Sequence, residues 1–211
     1  MTTSELIRAV EQADSAQSLL EAVRMLAEAH SPEGIPTLIT VLGYNNPGAA
    51  VAAVEGLIKL GEPAVLPLLE QLDGYNYGAR AWAIRALSSI GDPRGLNVLL
   101  EAAGTDFALS VRRAAARGLG TIHWEQMSVE EDILEAQIKA LNTLFQASQD
   151  PEWIVRYAAI VGLEELANKI KNRQSQWLEK IIHRLEEIIN TDETLAVQAR
   201  AKLAQQRLER G

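Results

Sequence analysis

The sequence predicts an all-α protein, an α-solenoid of stacked helix pairs, on three observations. Leucines in equivalent contexts recur at Leu26, Leu57, Leu87, Leu119, Leu163 and Leu203, with spacings of 31, 30, 32, 44 and 40 residues. The first three spacings are the period of a two-helix repeat. Prolines punctuate that period at Pro32, Pro63 and Pro93, where a ring that fixes φ and lacks an N–H stops one helix and suits the first turn of the next. Aromatic residues make up only 5% of the chain, and no apolar/polar alternation of a β-strand is present.

The elements follow in order. Glu21 to Ile39 aligns without a gap on Trp82 to Leu100, an offset of 61 residues, and Ala52 to Leu72 fills the interval with the same helix, Pro-containing turn and helix. Later helices open with Val111-Arg112-Arg113-Ala114-Ala115, with Val155-Arg156-Tyr157-Ala158-Ala159 and, more weakly, with Val197-Gln198-Ala199-Arg200-Ala201. Small residues at Gly56, Ala86, Gly118 and Gly162 let neighbouring helices approach. The two longer spacings read as insertions rather than domain boundaries, the largest at residues 121–134, where Ser128-Val129-Glu130-Glu131 has the pattern of a capping box. Trp177 to Ile189 is amphipathic and Asp192 to Arg210 reads as a terminal helix, so residues 174–210 form a helical cap. No repeat buries its apolar face alone, so about five to six repeats are expected to stack as one domain over residues 1–211, in a curved superhelix. The apolar end segments, Leu6 to Leu26 and Ile181 to Leu208, are candidate contacts with a partner.

Composition excludes several functions. The chain of 211 residues has 20 Lys and Arg against 28 Asp and Glu, a formal charge of −8, which disfavours a general nucleic-acid binder. It contains no Cys, which removes disulfides, thiolate metal sites and a cysteine nucleophile. The histidines are His30, His123 and His183, with no His-Glu pair or HExxH array, so no metal site is expected. GxxxxGK[ST], GxGxxG and GxSxG are absent. No run approaches the roughly 20 apolar residues that span a bilayer, and the start lacks a basic then apolar leader pattern. A cytoplasmic location without a membrane span is the expectation.

Rings and guanidinium groups cluster at helix starts. Tyr75, Tyr77, Arg80, Trp82 and Arg85 fall within 11 residues, Asp106-Phe107 precedes Arg112, Arg113 and Arg117, and Asp150-Pro151-Glu152-Trp153 precedes Arg156 and Tyr157. On one side of the stack these would line a groove for a flat conjugated ligand with carboxylates, the rings stacking and the arginines pairing the acids. The alternative is structural. Trp82 and Trp153 would fill core between repeats, and Tyr77 and Tyr157 would cover its edge.

The pattern Asp-x4-Val-Arg-x2-Ala, at Asp106 with Val111-Arg112 and at Asp150 with Val155-Arg156, resembles HEAT-like repeats. That resemblance implies that the Val-Arg helices line a concave side. The same aspartates and arginines can instead pair between adjacent repeats as a structural ladder.

YNYGARAWAIRALSSIGDPRGL, TDFALSVRRAAARGLG with the following Trp124, and DPEWIVRYAAIVGLE together resemble the F subunit of the heterodimeric E/F-type phycobilin lyases of cyanobacteria, over Leu20 to Leu166. The resemblance implies an enzyme active with an E-type partner subunit. It would join phycocyanobilin, a substrate rather than a permanently bound cofactor, to a cysteine of the phycocyanin α subunit through a thioether, serving phycobilisome assembly and photosynthesis. A related branch that also isomerises the pigment carries a His-Cys motif. Here Tyr75-Asn76-Tyr77-Gly78 stands in that region, so plain attachment is implied. On this reading Tyr75, Tyr77, Arg80, Trp82, Arg112, Arg113, Trp153, Arg156 and Tyr157 are the candidate bilin contacts. Asp106 or Asp150 would favour the protonated, more electrophilic pigment, and His123 would transfer protons unless it is merely structural. The competing reading is a non-catalytic HEAT-like adaptor that binds phycobiliproteins in phycobilisome assembly or turnover.

Overall fold

The computed structural model describes residues 1–72, 77–170 and 175–210, with Tyr77 and Ser175 described by their main chain only. Among the described residues there are twelve α-helices and no strand. They fall into two compact units, Met1–Gly95 and Leu96–Gly211. The division falls between the 3-10 turn at Pro93–Gly95 and the helix that begins at Leu96, within one helix-turn-helix repeat.

The first unit contains α1 (Thr3–Glu11), α2 (Ala16–Glu28), α3 (Ile35–Val41), α4 (Pro47–Leu60), α5 (Val65–Gln71) and α6 (Tyr77–Ile90). Its helix starts satisfy their orphan N–H groups from the side chains at hand. Thr2 and Glu5 form a reciprocal capping box on α1, and Ser15 and Ser18 form one on α2. Asn46 accepts from the N–H of Ala49 at 3.0 Å to cap α4. Its amide also donates to the carbonyl of Ala16, at the start of α2, at 2.9 Å. The expected proline turns are present as 3-10 turns at Pro32–Gly34, Glu62–Ala64 and Pro93–Gly95. Gly61 ends α4 with φ of 69°, a conformation that L side chains rarely adopt. Leu26, Leu57 and Leu87 are buried, each stabilising the unit by about 1.5–3 kcal/mol. Gly56 lets α4 meet α2, since a Cβ there would stand 2.6 Å from that of Ala27.

The second unit contains α7 (Leu96–Thr105), α8 (Leu109–Thr121), α9 (Glu130–Ala147), α10 (Trp153–Ile170), α11 (Ser175–Thr191) and α12 (Leu195–Arg210). The longer period arises largely from longer second helices. Where α3 and α5 have 7 residues, α9 has 18 and α11 has 17. The expected insertion at 121–134 is a 3-10 turn, Trp124–Gln126, followed by the first turn of α9. Its capping box does not form. The helix begins at Glu130, so the N-cap falls on Val129, which makes no side-chain cap bond. Glu130, Glu131 and Asp132 fill the first turn, where negative charge suits the helix dipole.

α8 and α10 run in the same direction, and their contacts advance together along both helices. Arg112 meets Asp150, Gly120 meets Gly162, and Lys169 reaches Thr121. The glycines set the separation. A Cβ on Gly120 would stand 2.5 Å from the Gly162 carbonyl oxygen, and one on Gly162 would collide with the Ala116 carbonyl. Leu119 and Leu163 are fully buried, but Leu203 is 40% exposed, so the sixth leucine does not repeat the role of the others. The buried stripe of α12 is Val197, Ala201, Ala204 and Leu208, spaced by four, three and four residues, and Leu203 lies off it.

Candidate functional site

The starts of α8, α10 and α12 share one construction. Asp106, Asp150 and Asp192 each accept the main-chain N–H two residues ahead, at 2.9, 2.9 and 2.8 Å, in an Asx turn that launches the helix. The following arginine folds back over the same turn. Nη1 of Arg112 donates to the carbonyls of Asp106 and Phe107 at 2.9 and 3.1 Å, and Nη1 of Arg156 donates to those of Asp150 and Pro151 at 2.9 and 3.0 Å. The rest of each guanidinium reaches one repeat on. Arg112 grips Asp150 through Nε and Nη2 at 2.7 and 3.1 Å, and Arg156 grips Asp192 through the same atoms at 2.7 and 3.0 Å. The arginine hydrogen bond holds the Asp192 carboxyl below its ordinary pKa. The carboxylates in turn raise the pKa of Arg112 and Arg156. The ladder expected between repeats is present at Asp150 and Asp192.

This construction separates the candidate residues. Arg112, Arg156 and Asp150 lie within the ladder, with side chains 13%, 10% and 9% exposed. Asp106 is half-buried beside the Ala108 N–H. Trp153 and Tyr157 are 46% and 37% exposed, so Trp153 is not core filling. They stand one turn apart on an exposed side of α10. Arg113 is exposed on α8 and follows Val111 as Tyr157 follows Val155, by two residues, so the neighbouring helices present both from one face. Leu109, Trp153 and Leu195 are the first residues of α8, α10 and α12, and all three are exposed.

His123 is elsewhere. It is half-buried just past the C-terminal end of α8, with Nδ1 at 3.4 Å from Gln126 Nε2. Asp106 precedes that helix and Asp150 lies beside its first turn, so the 13 residues of α8, about 20 Å of rise, divide His123 from both. In the first unit, Trp82 and Arg80 are half-buried on α6, and the Arg85 guanidinium lies 5.5 Å from the Trp82 ring centroid in a cation–π contact. Tyr75 lies outside the described residues. Tyr77 opens α6, and its side chain lies outside them too.

Known proteins agree with this architecture. HEAT-repeat models match residues 3–73, 72–120 and 140–170. The chain is 55% identical over 208 residues to a phycocyanobilin lyase subunit beta of Pseudanabaena tenuis, covering 98% of this chain and 73% of that one. It is 60% identical over 168 residues to the phycocyanin alpha phycocyanobilin lyase CpcF of Synechocystis, covering 79% and 78%. The chain belongs to the phycocyanobilin lyase subunit family. A solved complex of CpcE and CpcF of phycocyanin lyase from Nostoc contains a chain of the same fold, with a TM-score of 0.75, 54% identity, and coverage of 83% of this chain and 99% of that one. A designed armadillo repeat protein, at 19% identity and a TM-score of 0.61, shares the fold alone.

Two features of this lyase subunit were not read from the sequence. Lys169 of α10 donates to the Thr121 and Ile122 carbonyls, both at 2.7 Å, and so fastens the end of α8 where the His123-Trp124 turn begins. Burial lowers the pKa of that amine. The second is the exposed row Leu109, Trp153 and Leu195. Its signal was available, since each residue stands two before the valine of its helix. Trp124 is the indole placed inside, 5% exposed.

Proposed function

We propose that the chain is the F-type half of a heterodimeric lyase that attaches phycocyanobilin through a thioether to a cysteine of the phycocyanin α subunit, with an E-type subunit as partner. The observation that carries this reading is the 60% identity with a phycocyanin alpha phycocyanobilin lyase CpcF, beside 54% with a chain of a solved CpcE–CpcF complex. Its physical counterpart is the exposed Trp153, Tyr157 and Arg113 face. The chain has no thiol, so the sulfur comes from the acceptor. The new bond forms when that sulfur adds to the ethylidene group of the pigment and a proton is taken up at the neighbouring carbon. This subunit need only hold a flexible pigment in one reactive conformation.

Phycocyanobilin is then a substrate, and no permanently bound cofactor is invoked. Trp153 and Tyr157 supply stacking surfaces. Arg113 has no ion pair among the described residues and, of the candidate arginines Arg112, Arg113 and Arg156, is the one outside the ladder and open to a propionate. Arg112, Arg156 and Asp150 hold the helix starts in register. Asp106, before α8, is the carboxylate proposed to protonate the pigment, and His123 serves a separate end of α8. Tyr77, Arg80 and Trp82 belong to α6 of the first unit and, with Tyr75 outside the described residues, are a separate set of candidate contacts.

The test combines the full chain, the E-type partner, phycocyanobilin and apo α subunit, and follows covalent colour and fluorescence. Trp153→Ala and Arg113→Gln are expected to lower the transfer rate about tenfold or more, in the range for losing orientation of a reactant, with helicity and melting temperature unchanged. Full transfer by both variants would remove these residues from the site. Binding of holo-protein without transfer by the unaltered chain would favour the adaptor reading.

A further inference from the structure

The arginines of the second unit are almost all spoken for. Arg112, Arg156, Arg184, Arg200 and Arg207 each pair with a carboxylate. Apart from Arg210 at the very end of α12, the exceptions among the described residues are Arg113 and Arg117, which have neither an ion pair nor a side-chain hydrogen bond there. Both are exposed. They lie four residues apart on α8, which puts their Cβ atoms about 5–6 Å apart on one face. The helix, LSVRRAAARGLGT, holds no acidic residue, so nothing within it offsets the repulsion of like charges at this spacing. Two acids held one turn apart would relieve it.

The register of α8 and α10 fixes what stands beside this pair. Arg113 and Tyr157 come two residues after Val111 and Val155, and Arg117 and Val161 come six after them. Tyr157 is exposed and Val161 half-buried, with the exposed Trp153 one turn before Tyr157. The neighbouring carboxylates are engaged elsewhere. Asp150 and Glu152 act on Arg112, Glu164 is taken by Arg200 and Arg207, and the charge of Glu165 acts on Lys169. The shared face therefore sets two free guanidinium groups on α8 against ring and apolar surface on α10.

We propose that Arg113 and Arg117 together clamp both propionates of phycocyanobilin, one to each. This rests on the lyase reading and deepens it, adding Arg117 as a second anchor and giving the pigment a direction. The propionates of the open-chain tetrapyrrole sit on its two central rings and point to the same side. A line through their carboxylates runs along the pigment, and a line through Arg113 and Arg117 runs along α8. The pigment thus lies lengthwise on α8 and α10, its central rings against Tyr157 and Val161 and one outer ring against Trp153. A single arginine would leave it free to swing about one carboxylate. Two hold the orientation in which the acceptor thiol finds it.

The test titrates the full chain, with its E-type partner, with phycocyanobilin, its two monomethyl esters and its dimethyl ester, and follows pigment absorbance. Arg117→Gln is expected to weaken binding of the free acid about three- to tenfold, the modest range of an exposed charge pair, and to leave the dimethyl ester unchanged. The variant should also lose its preference for the free acid over one monomethyl ester and keep it over the other, with Arg113→Gln showing the converse. Arg210→Gln, an unpaired arginine off this face, should change nothing. Unaltered pigment binding by Arg117→Gln, an equal loss for the dimethyl ester, or the same loss in Arg210→Gln would overturn the clamp while leaving the lyase reading in place. Absence of pigment binding and transfer by the unaltered pair of subunits would overturn both.

Discussion

The joint between the starts of consecutive helices is built twice in this molecule, with different chemistry. In the first unit Asn46 caps α4 and passes a neutral hydrogen bond to the Ala16 carbonyl at the start of α2. In the second unit the corresponding places hold Asp150 and Asp192, gripped bidentately by Arg112 and Arg156. The neutral joint satisfies two groups and can be lost without stranding a charge. The ionic joint fixes a register more tightly, but neither partner can be removed alone, because an unpaired buried charge is far more costly than an unpaired amide.

Breaking the ionic joint should have the largest effect. Arg156→Ala is expected to destabilise the protein by about 3–5 kcal/mol, the range for removing one partner of a buried pair, measured by denaturant unfolding. The same joint carries a pH signature. The folded pKa of Asp192 lies below its ordinary value of 3.8, so its contribution is complete above that value and is lost as pH falls through the folded one. Asp192→Asn should flatten this acid limb of stability against pH. An unchanged limb would show that the carboxylate is not held by the arginine.

Next in size is the helix crossing. Gly162→Ala would drive a methyl into the Ala116 carbonyl and the Leu144 side chain, and is expected to cost about 1–3 kcal/mol. Asn46→Ala, which breaks only the neutral joint, should cost about 1 kcal/mol, as for other lost caps. A cost equal to that of Arg156→Ala would erase the contrast between the joints. The smallest change is a gain. Val129→Asp places a capping carboxylate where α9 has none and should raise the unfolding midpoint by an amount equivalent to about 0.5–1 kcal/mol.

Much of this was legible in the sequence, for physical reasons that differ by residue. Proline and glycine act through local backbone geometry, so the turns at Pro32, Pro63 and Pro93 and the crossings at Gly56 and Gly162 could be read directly. The ladder was legible as Asp-x4-Val-Arg because the aspartate and the arginine sit at a fixed offset in each repeat, so that each arginine meets the aspartate of the next. The start of α9 was not. Ser128 and Glu131 have the spacing of a box, but where a helix begins depends on the approaching chain, here the turn at Trp124–Gln126. Exposure was equally hidden. Trp124 and Trp153 are the same residue type at helix or turn starts, and only packing puts one inside and the other out. The Arg112 and Arg156 side chains matched a ligand role and a ladder role equally well until their partners were placed.

The Asx turn and its arginine form a unit that can be copied or removed whole. Cutting out residues 107–150 would join Asp106 to Pro151 and rewrite Asp-x4-Val-Arg across the seam, ending on Val155-Arg156. Each rung uses the same two side chains, so the cut would remove Arg112 together with its partner Asp150 and leave the Arg156–Asp192 rung whole. Length in such a protein can change by duplication or loss of a period without a new joint having to be invented.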